Sequence, residues 1–190
     1  KVESRTDVRT GLPVHSLYGA TRKPTPAMLH GLDALVYDLQ DTGCRSYTFI
    51  STMGLAMEAC AEAGIEFIVL DRPNPLGGVR VEGPRLEDPK LRSFVSQWDV
   101  PYVYGLTCGE VARWINERGG LPRPCRLTVV PLRGWRRTMV WRDTGLPWVP
   151  ASPHIPYGES PLFQVATGML GEIGGVSIGI GYTLPFQTIA

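Results

Sequence analysis

The chain has 190 residues, and its 19 Lys and Arg residues against 18 Asp and Glu residues leave a net charge of +1. A nearly neutral chain lacks the basic face of a typical nucleic-acid-binding protein, and no run of about 18 apolar residues predicts a membrane span. The four cysteines show no C-x-x-C spacing and the three histidines form no H-E-x-x-H motif. The sequence therefore predicts no metal centre, and the cysteines are interpreted as free, partly buried thiols, with one disulfide of unassigned partners as the alternative.

The first 40 residues predict two strands separated by a short helix. Val14–Tyr18 is an apolar run that predicts a strand. A short helix follows over 25–31, where Thr25 is a suitable N-cap and Gly31 a suitable C-terminal stop. Ala34–Leu39 is a mostly apolar run that is typical of a strand buried on both faces.

A longer helix and a third strand are predicted next. Over Tyr47–Ala63, apolar residues recur at helical spacing while Glu58 and Glu62 share a polar face. Glu66–Leu70 is another short apolar strand. Strands that alternate with helices in this order indicate an α/β fold with a Rossmann-like parallel sheet, right-handed crossovers and helices on both faces.

The chain after residue 71 is rich in turn-forming residues. It holds 14 of the 17 prolines and 16 of the 22 glycines, which predicts loops on a few regular elements. One element is a helix over Thr107–Arg118, which begins with the spacing of a capping box, and another is a strand over Leu127–Leu132. We divide the chain into a Rossmann-like domain over 1–132 and a loop-rich segment over 133–190 that begins a second, partial domain.

Acidic residues and arginines follow two of the predicted strands. Asp41 and Arg45 come after the second strand, and Asp71, Arg72 and Asn74 come after the third. Because the carboxyl ends of parallel strands meet at one edge of a sheet, where open α/β folds bind ligands, we expect these two loops to lie side by side. They form either an ion-pair network that ties the loops together or a site for a polyhydroxyl or carboxylate ligand.

Two glutamates and a histidine are further candidates. Glu82 lies in a glycine-rich turn and is either a solvated loop charge or a catalytic carboxylate. Glu110 is either a catalytic carboxylate or the capping-box partner of its helix, and His154 is held between two prolines. No complete G-x-G-x-x-G or G-x-x-x-x-G-K-[ST] motif is present, so no nucleotide cofactor is predicted.

Long motifs in order along residues 11–156 resemble those of a known family. They are GLPVHSLYGATRKPT (11–25), LVYDLQDTGCRSYTFISTM (35–53), VLDRPNPLGG (69–78), VEGP (81–84), SFVS (93–96), YGLTCGEVARWINE (104–117), RGWRRTM (133–139) and GLPWVPASPHIP (145–156). On these motifs the chain resembles the exo-β-N-acetylmuramidase (NamZ-type) family of bacterial cell-wall recycling glycosidases, long catalogued as a domain of unknown function.

The resemblance implies a Rossmann-like N-terminal domain joined to a smaller C-terminal domain, with the active-site cleft between them. It implies removal of terminal N-acetylmuramic acid from peptidoglycan fragments, without metal or nucleotide, by a secreted, periplasmic or lipoprotein enzyme. Muramic acid carries a lactyl carboxylate, for which Arg45 or Arg72 would supply the cation. The catalytic candidates are Asp41, Glu82 and Glu110, and the substrate-binding candidates are Arg45, Tyr47, Asp71, Arg72, Asn74 and His154.

The chain departs from the family pattern at both ends. The family has a Glu-His-Gly segment, with a favoured catalytic glutamate, upstream of the point where this sequence begins. Near the other end, a Ser-Glu-Gly-Arg-Gly run is replaced by a stretch with Ile178 and Ile180. Isoleucine makes no side-chain hydrogen bonds, so we expect another sugar specificity or lost hydrolysis. The alternative function is a non-catalytic carbohydrate-binding or scaffold domain.

Overall fold

The computed structural model describes residues 3–118 and 120–190. Within these residues, four α-helices and five strands follow each other in the order β1 Arg5–Thr6, β2 Pro13–Val14, α1 Pro26–Leu29, β3 Ala34–Tyr37, α2 Phe49–Ala63, β4 Glu66–Leu70, α3 Cys108–Arg118, β5 Arg126–Val130 and α4 Ser160–Thr167. Short 3-10 turns occur at Pro89–Leu91, Trp141–Thr144 and Leu170–Glu172.

The centre of the fold is a three-stranded parallel sheet in the order β3-β4-β5. One face of this sheet carries the alternating apolar side chains of the three strands, with Tyr37 beside Val69 and Val69 beside Val129. Helices α2 and α3 cover that face and contribute most of the remaining buried core. The α/β class and the parallel sheet predicted from the sequence are confirmed.

Helix α2 presents its predicted apolar stripe to the core. Met53, Met57 and Cys60 are fully buried, and Gly64 ends the helix in the left-handed conformation. At Gly54 the indole of Trp98 packs so closely that a Cβ atom would lie 2.1 Å from Cζ2. The terminal glycine and the helical spacing of the apolar residues therefore predict the end and the buried face of α2 correctly.

The opposite face of the sheet is only partly covered. Val36 is 54% exposed and Val130 is 47% exposed, so the prediction that the second strand is buried on both faces is wrong for Val36. The reason is topological: β3 is an edge strand, and among the described residues α2 and α3 both lie on the other face. An apolar run alone cannot distinguish an edge strand from a central one.

The predicted strand at Val14–Tyr18 is also wrong. Among the residues that the structure describes, only Pro13 and Val14 pair in this segment, in an antiparallel ladder with β1 that is separate from the parallel sheet. The hydroxyl of Ser16 accepts a hydrogen bond from the backbone N–H of Tyr18 at 3.2 Å, which bends the chain away from an extended strand.

The glycine- and proline-rich part contains more regular structure than predicted. Helix α4 forms where the sequence predicts a loop. It begins with Ser160 and Pro161 in its first turn, and at its end the Gly168 N–H donates a hydrogen bond to the Gln164 carbonyl. All four cysteines are buried and free, as interpreted. In the part of the chain that the structure describes, no helix is both long enough and apolar enough to cross a membrane.

Candidate functional site

The loops that follow β3 and β4 lie side by side at the carboxyl edge of the sheet, as predicted. The side-chain amide of Gln40 donates a hydrogen bond of 2.9 Å to the carbonyl of Pro73. The guanidinium of Arg72 donates to the carboxylate of Asp38 at 2.6 and 2.9 Å. The two loops therefore form one continuous surface.

Asp41 is the most strongly perturbed carboxyl group at this edge. It is only 4% exposed, and burial raises its pKa to about 6, although hydrogen bonds from the Tyr104 hydroxyl and from the Gly43 backbone N–H, at 2.8 Å, lower it. Its Oδ1 atom has no hydrogen-bond partner among the described residues. A carboxyl group that gains or loses a proton near pH 6 is suited to proton transfer under physiological conditions.

Protonated hydroxyl and thiol groups surround this carboxyl group. Burial raises the pKa of Tyr37, Tyr104 and Cys108 well above their ordinary values, and the charge of Asp41 raises them further. The hydroxyl of Tyr37 and that of Thr42 are buried without a hydrogen-bond partner in the described part of the chain. Such unsatisfied groups are rare in folded proteins, so their concentration beside Asp41 makes this cluster the candidate functional site.

Asp71 and Glu110 fix the start of helix α3. The carboxylate of Asp71 accepts hydrogen bonds from the Gly109 N–H at 2.7 Å and from the Thr107 hydroxyl at 2.8 Å. Glu110 accepts from the Thr107 N–H at 3.0 Å, while the Glu110 N–H donates to the Thr107 hydroxyl, which completes the capping box. The other carboxylate oxygen of Glu110 pairs with Arg137. These contacts favour the capping interpretation of Glu110, and its catalytic role stays a prediction.

Both candidate arginines bind other groups of the protein. The guanidinium of Arg45 donates to the carbonyls of Pro84, at 2.8 Å, and of Val100, at 2.7 Å. Arg72 is paired with Asp38, and both side chains remain at least 40% exposed. Arg45 thus holds two distant loops together, and Arg72 is the one of the two that faces solvent at the sheet edge.

Asn74 connects the two loops through its side chain. It is buried, its amide donates to the Leu106 carbonyl at 2.9 Å, and its Oδ1 accepts from the Leu76 N–H at 2.9 Å. Gly43 packs against it so closely that a Cβ atom there would lie 2.3 Å from Asn74 Oδ1. Because both polar atoms of the Asn74 side chain bind backbone groups, these contacts favour a role in positioning the loops. Substrate binding by Asn74 stays a prediction.

Glu82, Tyr47 and His154 are the remaining candidates. Glu82 is exposed, its nearest cation is Arg80 at 3.8 Å, and no hydrogen bond joins its side chain to Asp41 in the described residues. Burial raises the pKa of Tyr47 to about 12, and Ser152 lies beside its hydroxyl. A bridge between Ser152 and Ile155 closes the turn that contains His154, so His154 lies in a turn that reaches Tyr47.

A separate apolar pocket lies next to the loop after β4. Its volume is about 180 Å³, and its walls include Leu76, Val140, Trp141 and Leu162, with Arg142 also in the lining. In the part of the chain that the structure describes, no three His, Cys, Asp or Glu side chains come together to hold a metal ion.

Comparison with known proteins identifies the family. A family model described as exo-β-N-acetylmuramidase NamZ, N-terminal, matches residues 1–159. The chain belongs to this family. A curated relative, the peptidoglycan β-N-acetylmuramidase NamZ of Bacillus subtilis (strain 168), is 48% identical over 189 residues, which cover 100% of this chain and 45% of the relative.

Two solved structures of DUF1343 family proteins from Bacteroides fragilis NCTC 9343 share the fold. One is 59% identical with a TM-score of 0.93 and matches 97% of this chain and 48% of its own. The other is 38% identical with a TM-score of 0.85 and matches 96% of this chain and 49% of its own. The chain thus spans about half the length of these NamZ-family relatives.

The structure adds residues that the sequence analysis did not single out. Tyr104 was part of a family motif but not a site candidate, and it donates directly to Asp41. Tyr18 and Arg22 lie in the loop after β2 and were likewise part of a family motif but not site candidates. The hydroxyl of Tyr18 lies 2.9 Å from that of Thr48 at the amino end of α2, and the guanidinium of Arg22 contacts the Tyr18 ring. The contacts of Tyr104 with Asp41 and of Tyr18 with Thr48 join residues 30 or more positions apart, so no local sequence signal reveals them.

Proposed function

We propose that this chain forms part of a glycosidase that releases terminal N-acetylmuramic acid, or a related amino sugar, from peptidoglycan fragments. The family membership and the name of the Bacillus subtilis relative support the reaction class and the substrate class. We extend the proposal to a secreted, periplasmic or lipoprotein location, where such fragments arise.

The observation that carries the proposal is the state of Asp41. Glycoside hydrolysis requires a carboxylic acid that protonates the leaving oxygen, and such a group needs a pKa near the working pH. Burial gives Asp41 a pKa of about 6, and the Tyr104 hydroxyl and the Gly43 N–H fix the orientation of its carboxyl group. Its Oδ1 atom is buried without a hydrogen-bond partner among the described residues, and we propose that this oxygen becomes accessible and accepts or donates a hydrogen bond when the substrate binds.

The surrounding groups suit a polyhydroxyl ligand. Arg72 and Asp38 offer charged hydrogen-bonding groups on the exposed side of the edge, and Tyr47 and His154 border it. Glu82 is an exposed carboxylate with the guanidinium of Arg80 at 3.8 Å, and it is the candidate for a second catalytic carboxyl. Glu110 remains the weaker candidate, because both of its oxygens are engaged.

A non-catalytic carbohydrate-binding domain is the second candidate. The observation that favours it is the loop around Ile178 and Ile180. Ile178 is buried against Gly171, while Ile180 is half-exposed, so both positions present hydrocarbon where the related motif carries Glu and Arg. A domain with this loop would retain sugar binding at the sheet edge without turnover.

Release of N-acetylmuramic acid by the full-length protein distinguishes the two candidates. The substrate is a disaccharide with N-acetylmuramic acid at its non-reducing end, or a chromogenic β-glycoside of that sugar, assayed between pH 5 and 8. Turnover supports the glycosidase. Binding of N-acetylmuramic acid by calorimetry without turnover supports the second candidate, and a folded protein that neither binds nor cleaves contradicts both.

A further inference from the structure

A further cation, Arg22, lies near the candidate site. Arg22 is exposed, and among the described residues its guanidinium forms neither an ion pair nor a side-chain hydrogen bond. The two arginines predicted to bind a carboxylate differ from it, because Arg45 donates to backbone carbonyls and Arg72 pairs with Asp38.

Two aromatic rings hold Arg22 in place. Its guanidinium carbon lies 4.5 Å from the centroid of the Phe94 ring and 5.1 Å from that of Tyr18. The two rings contact each other edge to face, with centroids 5.9 Å apart. Contact with rings orients a planar guanidinium but leaves its N–H groups unsatisfied, and at an exposed position it contributes only about 0.5–1 kcal/mol. The arrangement therefore leaves the hydrogen-bonding capacity of Arg22 free for a ligand.

Tyr18 places this group of three residues beside the candidate site. Its hydroxyl lies 2.9 Å from the hydroxyl of Thr48, at the amino end of α2. Burial raises the pKa of Tyr47, and the proximity of both Asp41 and Tyr18 raises it further. One chain of neighbours thus runs from Asp41 through Tyr47 and Thr48 to Tyr18.

We propose that Arg22, supported by Tyr18 and Phe94, binds the carboxylate of the substrate sugar and so selects an acidic amino sugar over a neutral one. The inference rests on the proposed function. A guanidinium binds a carboxylate through two parallel N–H···O bonds, which a neutral sugar hydroxyl cannot form. The half-exposed ring of Tyr18 adds an apolar surface beside the cation, which suits the carbon skeleton of a sugar.

The test compares two sugars that differ in the lactyl carboxylate, N-acetylmuramic acid and N-acetylglucosamine. Their dissociation constants are measured by calorimetry on the full-length protein, as wild type and as Arg22→Gln, Arg22→Lys and the exposed control Arg9→Gln. We expect Arg22→Gln to weaken N-acetylmuramic acid binding roughly tenfold or more, as for a charge-assisted hydrogen bond, without change for N-acetylglucosamine. Arg22→Lys should recover part of the loss, and Arg9→Gln should behave as wild type.

The outcomes separate this inference from the proposed function. If wild type prefers N-acetylmuramic acid and Arg22→Gln keeps that preference with an unchanged melting temperature, the carboxylate site is elsewhere and only this inference fails. Equal weakening for both sugars also contradicts it, because a carboxylate contact acts on one sugar alone. If wild type binds neither sugar, the proposed function fails together with this inference.

Discussion

The carboxyl group of Asp41 combines burial with incomplete hydrogen bonding. Two donors, Tyr104 and Gly43, stabilise its charged form, but burial outweighs them and leaves the pKa at about 6. A buried charge with an unpartnered oxygen lowers the stability of the fold, and proteins retain such groups chiefly where function requires them. The residue type and its position after a strand were predictable from the sequence. The balance of burial and hydrogen bonds was not, because Tyr104 lies 63 residues away along the chain.

Replacement of Asp41 by Asn should change how stability depends on pH. The carboxyl pKa is 3.8 in the unfolded chain and about 6 in the folded protein, so between these values the folded protein binds more protons. Its stability therefore falls as pH rises through this window, by about 3 kcal/mol in total. Asn cannot ionise, so the stability of Asp41→Asn should not fall in this way. Urea unfolding of both proteins at pH 4 and pH 7.5 measures the difference in the free energy of unfolding. Parallel pH dependence of the two proteins would show that the Asp41 pKa is normal.

Arg45→Ala should lower stability more than it lowers sugar binding. Arg45 is a substrate-binding candidate, but its guanidinium donates to two backbone carbonyls that the substitution leaves without partners. We expect a loss of about 2 kcal/mol in the free energy of unfolding, compared with little change for the exposed control Arg9→Ala. The melting temperature and the calorimetric dissociation constant for N-acetylmuramic acid, measured on the same samples, show which of the two is lowered more. Weaker sugar binding at an unchanged melting temperature would restore the ligand role.

At the scale of elements, local signals and long-range contacts contribute differently. The capping box at the start of α3, the glycine at the end of α2 and the apolar run of β4 each act within a few residues, and the sequence predicted all three. The strand expected at 14–18 does not form because the Ser16 hydroxyl bends the backbone there, and α4 is not predicted because Pro161 in its first turn resembles a loop signal. The apolar and turn-forming pattern of a single segment does not show where the backbone bends or where a helix begins with proline.

The contact between the two loops is testable with a pair of glycines. Gly43 and Gly31 both have positive φ, at 80° and 78°, so alanine costs about 1–2 kcal/mol of backbone strain at each. A Cβ atom at Gly31 meets nothing within 4 Å, whereas at Gly43 it lies 2.3 Å from Asn74 Oδ1. We expect Gly43→Ala to destabilise by a further 1–3 kcal/mol or so in chemical denaturation. Equal losses at both positions would mean that the loops do not depend on this contact.

At the scale of the whole molecule, the edge of the sheet gathers residues from distant parts of the chain. Arg137 reaches back to the carbonyls of Gly78 and Gly105 and to Glu110, so the segment after β5 is bound to the loops around the site. The parallel order of the strands, which the sequence predicted, brings the first two loops together. Tyr104, Arg22 and Arg137 each contact residues that are distant in the chain, so the spacing of residues within one segment does not predict their roles.

The rate of N-acetylmuramic acid release by Asp41→Asn tests the account most directly. The matched control is Asp33→Asn, an exposed carboxyl at the opposite edge of the sheet, where β3 begins. In full-length protein with confirmed folding, we predict that Asp41→Asn lowers kcat about 100-fold or more, as expected for loss of a proton-transfer group, and that Asp33→Asn stays within about twofold of wild type. Wild-type turnover by folded Asp41→Asn would contradict the assignment of the site to this carboxyl group.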